Sequence, residues 1–285
     1  MTGGGKQATA IPMVLAAIAS VQVGAAVATE LFDELGPVGT VMLRLVFAAA
    51  ILGAVWRPAL RGLRDERARD VLLFAVTLAG MNTGFYLALD RIPLGIAVTL
   101  EFVGPLGVAF AATRRRLDLL WAALAAGGIL LLSPGLGDDL DLLGAALALV
   151  AGAFWAGYIV LTQRIGRVFA GGEGLALAMF VAGALLLVPG VASAGGELLD
   201  LELLAFGFAV AILSSAIPYS LELEALRRLP AGVFGVMMSL EPAVAAAVGF
   251  ALLDQGLDTV QLLAIVLVVV ASAGALSSAP PPAEG

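Results

Sequence analysis

Apolar residues run along this chain in blocks of about twenty, the length a membrane-spanning helix needs. Polar and charged residues gather in the short gaps between the blocks. The pattern predicts ten helices, over 10–32, 36–56, 70–90, 93–112, 117–134, 141–162, 173–193, 203–225, 230–252 and 257–277. Breakers and charges punctuate them, among them Gly36-Pro37, Arg57-Pro58, Pro93, Ser133-Pro134-Gly135 and Pro230. The first block is too long, and its start too weakly basic, for a cleavable signal peptide, so a retained first span is expected. The loops leave no room for a soluble catalytic domain. Residues 278–285 read as a disordered tail rich in proline.

Composition sharpens the picture. Hydrophobic residues make up 61% of the 285 residues and charged residues 13%. Soluble domains carry roughly 45–50% and roughly 25%. So few charges cannot cover a soluble surface, so most of this surface must face lipid. The net charge of −7 has the wrong sign for binding polyphosphate, and no nucleic-acid partner is expected. The chain has no cysteine and no histidine. That removes thiolate and imidazole chemistry and the metal sites built on them, so no metal or cofactor is expected and the chain is not read as an enzyme. Proton chemistry near neutral pH is left to carboxyl groups.

Lysine and arginine fix the predicted orientation. With the N-terminus inside, the inner segments hold Lys6; Arg57, Arg61, Arg64, Arg67 and Arg69; Arg114, Arg115 and Arg116; Arg164 and Arg167; and Arg227 and Arg228. These are 13 of the 15 basic residues. Arg91 falls outside and Arg44 lies within a span. The acids Asp33, Glu34, Asp90, Asp138, Asp139, Asp141, Glu197, Asp200, Glu202, Asp254 and Asp258 fall outside. Both termini are therefore expected in the cytoplasm of a multi-pass protein. Asp138-Asp139-Leu140-Asp141 lacks the spacing of a metal-diphosphate motif and fits an outer loop.

The two halves echo each other. IPLGIAVTLEFVGPLGVAF from Ile92 aligns with LPAGVFGVMMSLEPAVAAA from Leu229. Pro93 then pairs with Pro230, and Pro105 with Pro242, both at an offset of 137. Five helices per half is an odd number, so the halves must have opposite orientation. The expected fold is an all-α integral membrane protein: ten transmembrane helices as two inverted five-helix repeats, 1–137 and 138–277. Inverted repeats mark transporters that hold substrate near the midplane. The structural alternative is duplication in a protein without transport.

A charge at mid-membrane costs roughly 2.5–3.5 kcal/mol on insertion scales, so intramembrane charges are functional candidates. At ~1.5 Å rise per residue, Glu101 lies about 12 Å deep and Glu241 about 16 Å deep. Either is read as a contact for a cationic amine or as carrier of a coupled proton. The alternative is a lock to arginine or backbone. Arg44 is a candidate for the substrate's anionic end. Glu222, with Glu224, reads as a gate or interface group near the inner end. Pro105, Pro218 and Pro242 each remove a backbone N–H inside a span, which marks a broken-helix site or a packing kink. Asn82 and Tyr86 share one helix face, Ser215, Tyr219 and Glu222 another, and Trp155, Tyr158 and Thr162 a third. Asn82, Tyr86, Tyr219, Trp155 and Tyr158 are candidates to line a polar cavity. Gln22 and Thr29 read as interhelical hydrogen-bonding groups.

Three stretches carry a family resemblance: GMNTGFYLALDRIPLGIAVTLEFVGPL (Gly80–Leu106), AILSSAIPYSLELEALRRLP (Ala211–Pro230) and GVMMSLEPAVAA (Gly235–Ala246). The chain resembles the EamA-type branch of the drug/metabolite transporter superfamily, and within it the inner-membrane threonine/homoserine exporters. The resemblance implies a ten-helix inverted-repeat fold in the bacterial inner membrane. It also implies amino-acid export driven by proton influx. Asn82, Tyr86, Glu101, Tyr219, Glu222 and Glu241 fall on the matching motif positions. The expected partners are a small amino acid, protons and the lipid bilayer, with homodimerisation left open. Another metabolite or a lipophilic drug is the alternative substrate.

Overall fold

Runs of Ala, Leu, Val and Gly without water-seeking side chains satisfy their backbone in lipid by folding as helices. The computed structural model describes residues 3–59, 67–112, 116–131, 141–226, 228, 234 and 237–278, and its elements there are helical. Arg61, Arg64, Arg114, Arg115, Arg227, Pro230, the Asp138-Asp139 loop and the tail after Ser278 lie outside the described residues. The first half comprises α1 (Gly3–Thr29), α2 (Phe32–Trp56), α3 (Ala68–Leu89), α4 (Leu94–Glu101), α5 (Val103–Ala112) and α6 (Arg116–Leu131). The second comprises α7 (Leu142–Val168), α8 (Glu173–Ala194), α9 (Leu201–Ala211), α10 (Ile217–Leu226), α11 (Glu241–Leu253) and α12 (Thr259–Ser278).

Six of the described helical stretches are long and apolar enough to cross a membrane, and Leu94–Val108, Glu241–Leu253 and Thr259–Gly274 are shorter apolar helices. The chain is a multi-pass membrane protein. The spans expected at 93–112 and 203–225 are each broken. The first parts at Phe102, between α4 and α5; the second passes through a π-helical turn at Ile212–Ala216, between α9 and α10. Gly36, at φ 67°, kinks α2 just before Pro37.

The helices interlock across the two halves. α2 packs on α8, α3 on α7, α6 on α12, α1 on α10 and α4 on α11. α7 also crosses α4 and α5, and α1 also lies along α11. Small residues set these crossings, as expected where lipid offers no hydrophobic drive between helices. The tightest one bears on the site. Pro105 has no N–H for the carbonyl of Glu101 one turn earlier, so α4 ends there. The freed carbonyl faces α7 at Gly152, where a Cβ would stand 2.5 Å from the Glu101 oxygen. Gly104 meets the Gly152 carbonyl in the same crossing.

Polar ties close the helix ends. Arg91 Nη1 donates to Asp141 Oδ2 at 3.2 Å, and Asp141 Oδ1 caps α7 through the Gly144 N–H at 2.8 Å. The Gly144 N–H, and then Arg91, hold the Asp141 carboxyl below its usual range. The Leu94 N–H, at the start of α4, donates to Gln255 Oε1 at 2.8 Å. At the other end of the α3–α7 pair, Arg164 Nε donates to Asp70 Oδ2 at 3.0 Å.

Two glycines of α7 give a paired test. A Cβ at Gly166 meets nothing within 4 Å, whereas one at Gly152 meets backbone. Gly152→Ala is expected to lower stability by about 1–3 kcal/mol through overpacking. Gly166→Ala is expected to be neutral or to gain up to about 0.5–1 kcal/mol. Unfolding of the purified variants in detergent decides between them.

Candidate functional site

The site is built around a second broken helix. Pro218 cannot donate to the carbonyl of Ser214, four residues earlier. The helix responds with the π-turn at 212–216, in which the Ile217 N–H reaches back to the Ile212 carbonyl. Two carbonyls are released, and each takes a side chain from the first half. Ser20 Oγ donates to the Leu213 carbonyl at 2.7 Å. Arg44 Nη2 donates to the Ser214 carbonyl at 3.0 Å. α1 can come this close because Gly24 lies against Ser214; a Cβ there would be 2.9 Å from the Leu213 Cβ.

Arg44 is buried, and its other contacts are neutral. Nη1 donates to Tyr86 Oη at 3.3 Å and Nε donates to Ser215 Oγ at 3.4 Å. The guanidinium also sits 5.5 Å from the Tyr86 ring centroid, a cation–π distance. Three of its five N–H donors are thus engaged. Glu101, 7% exposed, lies within electrostatic reach of Arg44, yet no ion pair joins them among the described contacts. Tyr219 is also within reach of Arg44, and Tyr158 and Glu222 lie within reach of Tyr219. Glu241, 6% exposed, senses both Glu222 and Glu101. All three tyrosines of the chain therefore meet around one arginine and three carboxyl groups.

The sequence candidates divide on placement. Arg44, Tyr86, Glu101, Tyr158, Tyr219, Glu222 and Glu241 come together. Trp155 joins them indirectly: its ring stands edge-on to Phe102, the residue at the α4–α5 break, with centroids 5.4 Å apart. Tyr158 stacks on Phe74 at 5.3 Å. Asn82 is buried and spends a donor on the Leu78 carbonyl of its own helix, at 2.8 Å. Pro105 and Pro218 follow helix breaks, and Pro242 opens α11 directly behind Glu241. Thr29 bonds locally to the Ala26 carbonyl. Ser20, Ser214 and Gly152 escaped the sequence reading. The offset of four from Pro218 was the available signal for Ser214, and the offset of four from Pro105 pointed to the Glu101 carbonyl that Gly152 faces.

Known proteins are similar to this chain in sequence and in fold. The model of the EamA-like transporter family matches residues 142–277. The threonine/homoserine exporter RhtA of Escherichia coli strain K12 is 45% identical over 268 residues, covering 93% of this chain and 90% of that protein. The chain belongs to the EamA-like transporter family. The protein of the same name from Salmonella typhimurium strain LT2 is 43% identical over 267 residues, with the same coverage of 93% and 90%. A solved crystal structure superposes with a TM-score of 0.64 at 19% identity, covering 94% of this chain and 97% of that one, so this EamA-like transporter shares its fold. The family consists of transporters, and the chain is not an enzyme.

The Arg44–Ser214 contact in this EamA-like transporter is testable by a double-mutant cycle. Arg44→Gln leaves the Ser214 carbonyl unpaired and is expected to cost about 1–3 kcal/mol. Pro218→Ala restores the N–H that can take that carbonyl. In the Pro218→Ala background the same arginine change should cost at least about 1 kcal/mol less. Additive effects on the unfolding free energy would contradict the link.

Proposed function

We propose that this protein exports small amino acids of the threonine and homoserine kind from the cytoplasm, in exchange for protons, by alternating access. One observation carries the reading. Among the described contacts, Arg44 and Glu101 lie within electrostatic reach without closing into an ion pair, and two N–H donors of Arg44 are unused. A zwitterion fits between them, its ammonium on Glu101 and its carboxylate on Arg44. Tyr86, Tyr158, Tyr219, Trp155 and Asn82 complete the proposed lining. The similar proteins are named threonine/homoserine exporters, which points the same way.

The proposed frame is ten helices in two inverted repeats, 1–137 and 138–277, in a bacterial inner membrane with both termini cytoplasmic. The packing supports it. Exchanging the halves turns the α3–α7 pairing into α10–α1, the α3–α8 pairing into α9–α2, and the α4–α7 pairing into α11–α1, all of which occur. Rocking of one half on the other would open the site alternately, with Glu222, Pro105, Pro218 and Pro242 at the moving joints.

A zwitterion carries no net charge, so the membrane potential cannot drive its export. One proton entering in exchange supplies about 2.3 kcal/mol per 100 mV. Glu101 and Glu241 are the buried carboxyls proposed to carry it. The experiment is uptake of labelled threonine into inside-out proteoliposomes with an acidic lumen. The lumenal acid should raise uptake, and Glu101→Gln and Glu241→Gln should each lower it at least about tenfold, the effect of losing one charged contact. Wild-type rates in both variants would refute the assignment. Absence of uptake by folded protein would remove the substrate.

A further inference from the structure

Three carboxyls and one arginine do not balance. Among the described groups, Arg44 lies within electrostatic reach of Glu101 but not of Glu222 or Glu241. Glu222 on α10 and Glu241 at the start of α11 thus form a like-charge couple with no cation to offset it among the described contacts. Their helices meet on a third: α10 and α11 both pack along α1. One small core joins Ile18 of α1, Ala225 one turn past Glu222, and Met238 and Val244 one turn either side of Glu241. Glu241 is buried and Glu222 only partly exposed, so their like charges repel with little water to screen them, and one of them takes up a proton or a cation.

A separate observation says which. Gln22 on α1 is 1% exposed, and among the described residues its Oε1 has no hydrogen-bond donor. It lies one turn from Ile18, on the face turned to α10 and α11. Its neighbour Val23 lines a groove with Leu240, Ala243 and Val244, which places Gln22 at the level of Glu241. A buried carbonyl oxygen without a donor is costly. A carboxylate cannot relieve it, whereas a protonated carboxyl can, through its O–H.

Other polar groups are described on the surrounding elements, among them the buried Ser239 just before Glu241. α1 adds Ser20, which is bonded to the Leu213 carbonyl. α4 contributes Glu101, and α7 contributes Tyr158. α10 carries Tyr219 beside Glu222, and Glu224 paired with Arg228 at 2.6 Å. The described part of α12 has no charged side chain. We propose that the coupled proton is held between α1, α10 and α11, on the Glu222–Glu241 couple, with the acid O–H donated to Gln22 Oε1. Glu101 is then left to Arg44 and the substrate ammonium. The assignment rests on the antiport reading above, and it narrows the carrier to Glu241 with Glu222 and Gln22 as its partners.

The test is infrared spectroscopy of the reconstituted protein, which reads the C=O stretch of protonated carboxyls without any substrate. At neutral pH the wild type should show such a band. Glu241→Gln should abolish it, Glu222→Gln should weaken it at least about twofold by removing the like charge, and Glu101→Gln should keep it. Gln22→Leu should move it to higher frequency, because the O–H loses its acceptor, and this reading stands even if Glu241→Gln fails to fold. Glu241→Asp should restore a band. A band unchanged in Glu241→Gln, or unmoved in Gln22→Leu, overturns the proposal. Proton-driven threonine uptake tests the antiport reading separately: a wild type that moves no threonine ends that reading and leaves the infrared result to decide the proton site.

Discussion

The donation from Arg44 to the Ser214 carbonyl is the contact on which the rest of the site depends. It exists because a proline breaks a helix. Pro218 withholds an N–H, the backbone widens into a π-turn, and a carbonyl that lipid cannot satisfy is offered to the protein interior. An arginine on α2 accepts the offer, so a residue of the first half is held by the backbone of the second. An intramembrane charge, costly on its own, is kept in place by a defect that is also costly on its own. Each offsets part of the cost of the other.

The same logic recurs at lower intensity at Pro105. There the freed carbonyl belongs to Glu101 and faces Gly152 of α7. Both breaks sit beside charged side chains, and both lie where helices of opposite halves cross. The two carboxyls end up in unlike settings. Glu101 is the last residue of α4, at the negative end of a half-helix, where a cation is favoured. Glu241 opens α11, at the positive end of another. A site that must bind an ammonium and also handle a proton gains from such a difference.

Much of this was legible in the sequence. The apolar blocks located the helices, and the rarity of buried charge singled out Arg44, Glu101 and Glu241 as well as Glu222. The prolines flagged the broken spans. Periodicity does not say which groups a freed carbonyl will meet, because that depends on contacts between helices far apart in the chain, such as Arg44 with Ser214. Asn82 shows the limit from the other side. It shares a helix face with Tyr86, yet one of its donors is spent within its own helix, on the Leu78 carbonyl. Gln22 shows it too: the sequence places it on a helix, but that its oxygen has no donor among the described residues becomes visible only once α1 is packed.

The central claim is that Arg44 and Glu101 grip the two ends of one zwitterion. The most direct measurement is competition against labelled threonine binding to the purified protein by analogues lacking one end. Threonine amide and N-acetylthreonine should each compete at least about tenfold less well than threonine, since each forfeits one charge-assisted contact of about 1.5–3 kcal/mol. Equal competition by either analogue would contradict the account.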